Sequence, residues 1–171
     1  KKSGVKQFIF MSSMIVYNKK ERRITKETLP NPDNFYGNSK LQAEIGLFQL
    51  ESQDFKIVVL RPPMIYGPNS KGNFPKLISF AKKSFIFPNF KNKRSMLYID
   101  NLSNSVKHII DKEMQGIYFP QNSDYMCTTE IIRMTAKIIN KKIWFTRIFN
   151  PIIYLTRCLV IPTMSWICLK I

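Results

Sequence analysis

The chain has 171 residues, 44% of them hydrophobic, and carries 27 lysines and arginines against 11 acids, a formal net charge of +16. That length suits one domain with its own core, and that apolar fraction excludes a disordered chain. Cys127, Cys158, Cys168 and the single His108 are too few and too scattered for a disulfide framework or a metal centre, so no metal is expected and a reducing, cytoplasmic compartment is.

The charge is spread in ones and twos with no long basic run, so it reads as compositional bias and nucleic acid is not expected as a partner. The chain opens on Lys1, Lys2, Ser3 and Gly4 with neither an initiator methionine nor a signal peptide, as though cut from something longer. Val5 to Met11 is a short apolar, β-prone run, a buried strand whose end delivers the hydroxyls of Ser12 and Ser13. Residues 18–33 are polar and proline-punctuated, a surface loop. Residues 34–52 have helical periodicity, with Leu41, Ile45, Leu47 and Phe48 as the expected inward stripe.

Lys56 to Leu60 is a near-continuous apolar strand of the kind covered on both faces of a parallel sheet. Strand, helix and strand then form one crossover unit, which places both strand ends on the edge where α/β folds bind ligands. Arg61 to Gly72, with Pro62, Pro63, Gly67 and Pro68, reads as a rigid loop. Further on, helices are expected over 74–83, 101–112 and 128–139, and short strands over 84–87, 96–99, 116–119 and 142–146, with Glu130 favourably placed in the first turn of the third helix. His108 falls within the second of these helices as a packed or exposed residue. From Ile143 to Ile171 the sequence is strongly apolar, but Arg147, Pro151, Arg157 and Pro162 interrupt any clean span. What remains there is an amphipathic helix that packs on the domain or touches a membrane surface.

The chemistry centres on Tyr36 and Lys40, four residues apart and therefore on one face at the start of the first helix. A phenol with pKa near 10 is a poor proton shuttle at neutral pH. A unit positive charge about 5 Å away, at an effective dielectric of about 20, favours the phenolate by on the order of 3 kcal/mol, roughly two pKa units. The spacing alone is weak, since chance supplies such a pair in a lysine-rich chain, and its context decides.

That context is three further stretches. Phe8 to Tyr17, Tyr36 to Lys40, Leu60 to Pro68 and Arg94 to Leu102, in that order, resemble the extended short-chain dehydrogenases of the NAD-dependent epimerase/dehydratase family, which act on nucleotide sugars. The resemblance covers residues 1–147. It implies an α/β fold: the C-terminal part of a Rossmann-type parallel sheet over residues 1–67 and a small substrate-binding part over 68–147, with 101–119 returning to the sheet and 148–171 an apolar helical tail. It implies NAD, or NADP, as cofactor and a nucleotide sugar as substrate. Ser13 matches the catalytic hydroxyl, Tyr36 the acid/base and Lys40 the lysine that holds the nicotinamide ribose. Ser12, Pro62, Pro63 and Met64 fall beside the cofactor, Asn73 where an amide contacts the sugar nucleotide, and Arg94 where an arginine fork binds the diphosphate.

Departures narrow the reading. Met14 and Ile15 stand where sugar 4,6-dehydratases carry an acidic pair, which argues against dehydration, and Met64 replaces an asparagine of many 4-epimerases. The second half looks most like 4-epimerases or 4-keto reductases of surface-polysaccharide sugars. None of the six glycines forms the family's phosphate-binding cluster, so a fragment, or an inactive truncated copy, is expected. A homodimer through the helix that starts at Tyr36 is the family's usual assembly. A basic membrane- or nucleic-acid-binding protein is the competing reading of the charge and the tail.

Overall fold

The structure, a computed structural model, describes residues 4–21, 23–148, 150–151 and 168–169. The expectations for the apolar tail, 148–171, lie almost wholly outside the described residues.

A parallel three-stranded sheet organises the first half. β1 (Gln7–Met11) pairs with β3 (Lys56–Leu60), and β3 with β7 (Gly116–Tyr118), so the order is β1-β3-β7. β3 is central and almost sealed, because Ile57, Val58, Val59 and Leu60 have no polar atom beyond the backbone that the ladder satisfies. Its Val58 and Leu60 face a cluster with Leu97, Leu102 and Ile109, while Ile57 and Val59 face Phe55, Phe10, Leu47 and Phe48. Strand alternation alone divides these residues between the two layers. Between β1 and β3 runs α1 (Phe35–Phe48), started by Asn34, whose side-chain oxygen accepts from the Gly37 amide at 2.8 Å.

The loop expected over 18–33 contains β2 (Arg23–Ile24), which pairs in parallel with β9 (Cys168–Leu169). Ile24 is fully buried with Met14, Val16 and Tyr17, so this segment is core at one residue and not a surface loop throughout. The proline-rich loop after β3 likewise contains β4 (Met64–Tyr66), paired with β6 (Met96–Tyr98). Prolines at 62 and 63 stop short of β4, and the strand takes its pairing from across the chain.

A second lobe is built from α2 (Asn73–Lys83), β5 (Ile86–Pro88), α4 (Thr128–Ile138) and β8 (Trp144–Thr146), with β5 and β8 paired in parallel. Its core joins Ala81, Phe87, Phe90, Ile132, Ala136 and Ile143. α3 (Ile99–Asp111) follows β6 and leads to β7, which pairs with β3. His108 is exposed on α3.

Candidate active site

Because the sheet is parallel, Met11, Leu60 and Tyr118 end together, and the segments that leave these three strand ends share one edge. The Ser12 amide donates to the Leu60 carbonyl at 2.8 Å and the Arg61 amide to the Tyr118 carbonyl at 2.9 Å, which carries the ladder to this edge. Ser13 then starts a 3-10 turn, Met14–Val16, its hydroxyl oxygen accepting from the Ile15 amide at 3.3 Å. Met14, Val16 and Tyr17 anchor the turn in the core.

Helix α1 begins against this turn. A Cβ at position 37 would run into the Ile15 carbonyl and the Pro32 side chain, so only glycine lets the helix start come this close. Tyr36, the preceding residue, stays half exposed. One turn later Lys40 reaches back to β1: its ammonium donates to the Met11 carbonyl at 2.9 Å, 4.9 Å from the Phe10 ring centroid and 5.8 Å from that of Tyr36. The structure thus gathers the ends of β1 and α1, carrying Ser13, Tyr36 and Lys40, at one edge of the sheet. Pro62 joins them, its carbonyl accepting from the Met14 amide at 3.1 Å, and the backbone passes on through half-buried Pro63 and Met64.

The frame beneath is ionic. Glu44, one turn beyond Lys40, is 1% exposed and takes a forked contact from Arg61: Nε lies 3.2 and 3.1 Å from its two oxygens and Nη2 2.5 Å from one. Arg61 Nη1 donates to the Tyr17 hydroxyl at 2.6 Å, and the Ser12 hydroxyl donates to Glu44. Burial works against the Arg61 charge, but the hydrogen bonds and charges of Glu44 and Tyr17 outweigh it, and the guanidinium is held above its ordinary pKa. Burial raises the Tyr17 phenol, with Arg61 pulling the other way. Four elements are tied by this one group: the end of β1, the 3-10 turn, α1 and the end of β3.

Ser12, which the family resemblance puts beside the cofactor, is buried and donates its hydroxyl to Glu44. One expectation changes here. The inward face of α1 is rotated: Glu44 is buried and Ile45 is 47% exposed, because the forked pair with Arg61 satisfies a carboxylate inside where an isoleucine was expected. Glu44 and Tyr17 escape a reading by apolar periodicity. The available signal was position: Glu44 continues the Tyr36, Lys40 face, and Arg61 directly ends the most apolar strand.

Asn73 and Arg94 lie on the second lobe, without a described contact to Tyr36 or Lys40. Asn73 is exposed at the start of α2. Arg94 is pinned by its backbone, which exchanges hydrogen bonds with Met126 at 2.9 Å. Its guanidinium is partly buried and makes no ion pair among the described residues, and desolvation lowers its pKa from the usual guanidinium value. A desolvated fork without a carboxylate is chemically suited to an anion. Among the described residues no group of histidine, cysteine, aspartate and glutamate could hold a metal, and no helix is long and apolar enough to cross a membrane.

A family model described as "NAD dependent epimerase/dehydratase family" matches residues 1–118. The chain is similar to the UDP-glucose 4-epimerase of Vibrio cholerae, 32% identical over 83% of this chain and 46% of the relative. It is also similar to the N-acetyl-alpha-D-glucosaminyl-diphospho-ditrans,octacis-undecaprenol 4-epimerase of Escherichia coli O157:H7, 28% identical over 83% of this chain and 45% of the relative. The fold superposes on the UDP-glucuronic acid 4-epimerase of Bacillus cereus in complex with NAD with a TM-score of 0.70 at 23% identity, covering 82% of this chain and 49% of the other. The chain therefore spans about half the length of the curated relatives it matches.

Proposed function

The chain belongs to the NAD-dependent epimerase/dehydratase family, and from that premise we propose that it supplies the proton-transfer and sugar-binding half of a nucleotide-sugar 4-epimerase. The substrate is a UDP- or dTDP-hexose, and the setting a cytoplasmic step of surface-polysaccharide synthesis. The observation that carries the reading is the convergence of the β1 and α1 termini, with Lys40 bonded to the Met11 carbonyl beside the Tyr36 ring. Residues 1–67 form the cofactor side and 68–147 mainly the sugar side.

The residues present fit the nicotinamide end of the cofactor. Lys40 spends one N–H on Met11 and has others to offer a ribose, and the Pro62, Pro63, Met64 backbone leaves β3 at the same edge. When bound, NAD would supply the hydride acceptor and donor for the sugar C4. The phenol of Tyr36 takes the proton of the 4-hydroxyl and later gives it back, and the Ser13 hydroxyl hydrogen-bonds the same oxygen. Lys40 holds the ribose. Asn73 contacts the sugar nucleotide and the Arg94 fork binds its diphosphate. A homodimer through α1 uses its exposed Phe35 and Ile45.

The test is turnover of UDP-hexoses, with NAD present, by the polypeptide that carries this chain. Tyr36→Phe is expected to lower kcat by about 10²–10⁴-fold while leaving NAD affinity by calorimetry unchanged. Unchanged turnover rejects the assignment.

A further inference from the structure

The end of the second lobe formed by β5, β8 and the C-terminal ends of α2 and α4 is apolar and basic at once. Strand alternation sends Phe87 and Phe145 inward against each other, ring centroids 6.3 Å apart, and turns their neighbours Ile86 and Trp144 outward. Trp144 is 78% exposed, Phe85 72% and Ile86 53%. Phe85, Ile86 and Trp144 share one shallow depression with Lys141 and Lys142.

The aromatic surface is held in place. Lys141 donates to the Lys82 carbonyl at the end of α2, and from there its ammonium lies 4.5 Å from the Phe85 ring centroid. Lys82, Lys83, Lys137 and Lys142 are exposed around the patch. No acid occurs from residue 73 to 99, and from 125 to 148 the single acid, Glu130, is paired with Arg133.

We propose that this face docks on an anionic lipid surface, with Phe85, Ile86 and Trp144 entering the headgroup layer and the surrounding lysines meeting lipid phosphates. Indole and phenyl rings favour that layer, and lysine stems extend over apolar surface while their ammonium groups stay with water and phosphate. A second copy of the chain fits the patch poorly, because like faces set lysines against lysines with no acid between them. A nucleic acid would satisfy the lysines but leave Ile86 uncovered.

The full chain is sedimented with vesicles of phosphatidylcholine alone, or of phosphatidylcholine with about one-third phosphatidylglycerol. Near-ultraviolet circular dichroism checks the fold of each variant. Binding to the anionic vesicles is expected to be at least about tenfold tighter than to the neutral ones, and to weaken with added salt. Trp144→Ser with Phe85→Ser, and separately Lys83→Glu with Lys142→Glu, are each expected to reduce it by about tenfold or more. The charge-reversed pair is fully on the surface, so the test survives even if the apolar pair misfolds. Equal binding to both vesicle types, unchanged binding by the charge-reversed variant, or tighter binding to duplex DNA than to anionic vesicles overturns the proposal. So does self-association lost on Trp144→Ser without any vesicle binding.

Discussion

Beneath the sheet edge a charged pair, Glu44 and Arg61, is buried, whereas in the second lobe, which closes over Phe87, Phe90 and Ile132, the fully buried polar side chains among the described residues are neutral. In that lobe Asn92 joins Thr128 twice, its amide nitrogen donating to the threonine hydroxyl and its oxygen accepting from the backbone amide, both at 2.7 Å, and so caps α4 from outside the helix. Packing and a neutral cap suffice where the task is to hold a helix on a strand pair. Where four chain segments must meet at fixed angles around Ser13 and Tyr36, directional charged hydrogen bonds do what apolar contact does not. The difference places geometric precision in the half that carries the proposed chemistry.

The strongest way to break this contrast is to remove one charge. Glu44→Ala leaves the Arg61 guanidinium buried and uncompensated and is expected to cost about 3–5 kcal/mol in urea denaturation. A cost below that of any neutral cap would show that the pair does not hold the sheet half together. Tyr36→Phe is the complementary case: the side chain is half exposed, so stability should stay within about 0.5 kcal/mol while turnover collapses. On the lobe side, Asn92→Ala uncaps α4 and orphans Thr128, for an expected loss of about 1–3 kcal/mol with the sheet half unaffected, readable by hydrogen exchange at the two cores. Gly37→Ala forces a methyl against the Ile15 carbonyl and should cost a similar or slightly smaller amount, about 1–3 kcal/mol, with a larger loss in kcat than in stability because the start of α1 shifts.

The smallest expected effect is a pH slope. With its pKa raised by burial, Tyr17 holds its proton more tightly in the folded chain. The stability this contributes is complete below the unfolded tyrosine value of about 10 and is lost as pH rises from there through the higher folded value. Denaturation midpoints measured across that range should fall less steeply in Tyr17→Phe than in the unchanged chain. Parallel slopes would mean that the phenol is not part of the buried group.

Much of this was legible in sequence because it is local. The apolar runs at 5–11 and 56–60 marked both principal strands, helical periodicity marked α1, α2 and α4, and the family resemblance of the stretches around Ser13, Tyr36, Lys40 and Pro62 implied that they belong to one site. What could not be read was pairing. β4 lies in a stretch whose prolines signal a loop, and only its partner β6 makes it a strand; Ile24 is core only because Met14 and Tyr17 close over it. Glu44 was invisible for a related reason. Periodicity assigns charged residues to the outside, and a buried carboxylate becomes reasonable only once Arg61, 17 residues away, is known to face it.

The sheet register also sets the order in which these parts can assemble. Gln7 meets Lys56 and Val58 meets Gly116, so each ladder closes a loop of dozens of residues, while α1 needs only contacts within itself. Long-range closure is the slow event in folding. Tyr36 and Lys40 therefore share a helix before they share a site, and it is the arrival of β3, bringing Arg61 to Glu44, that turns a nascent helix into one with a fixed orientation.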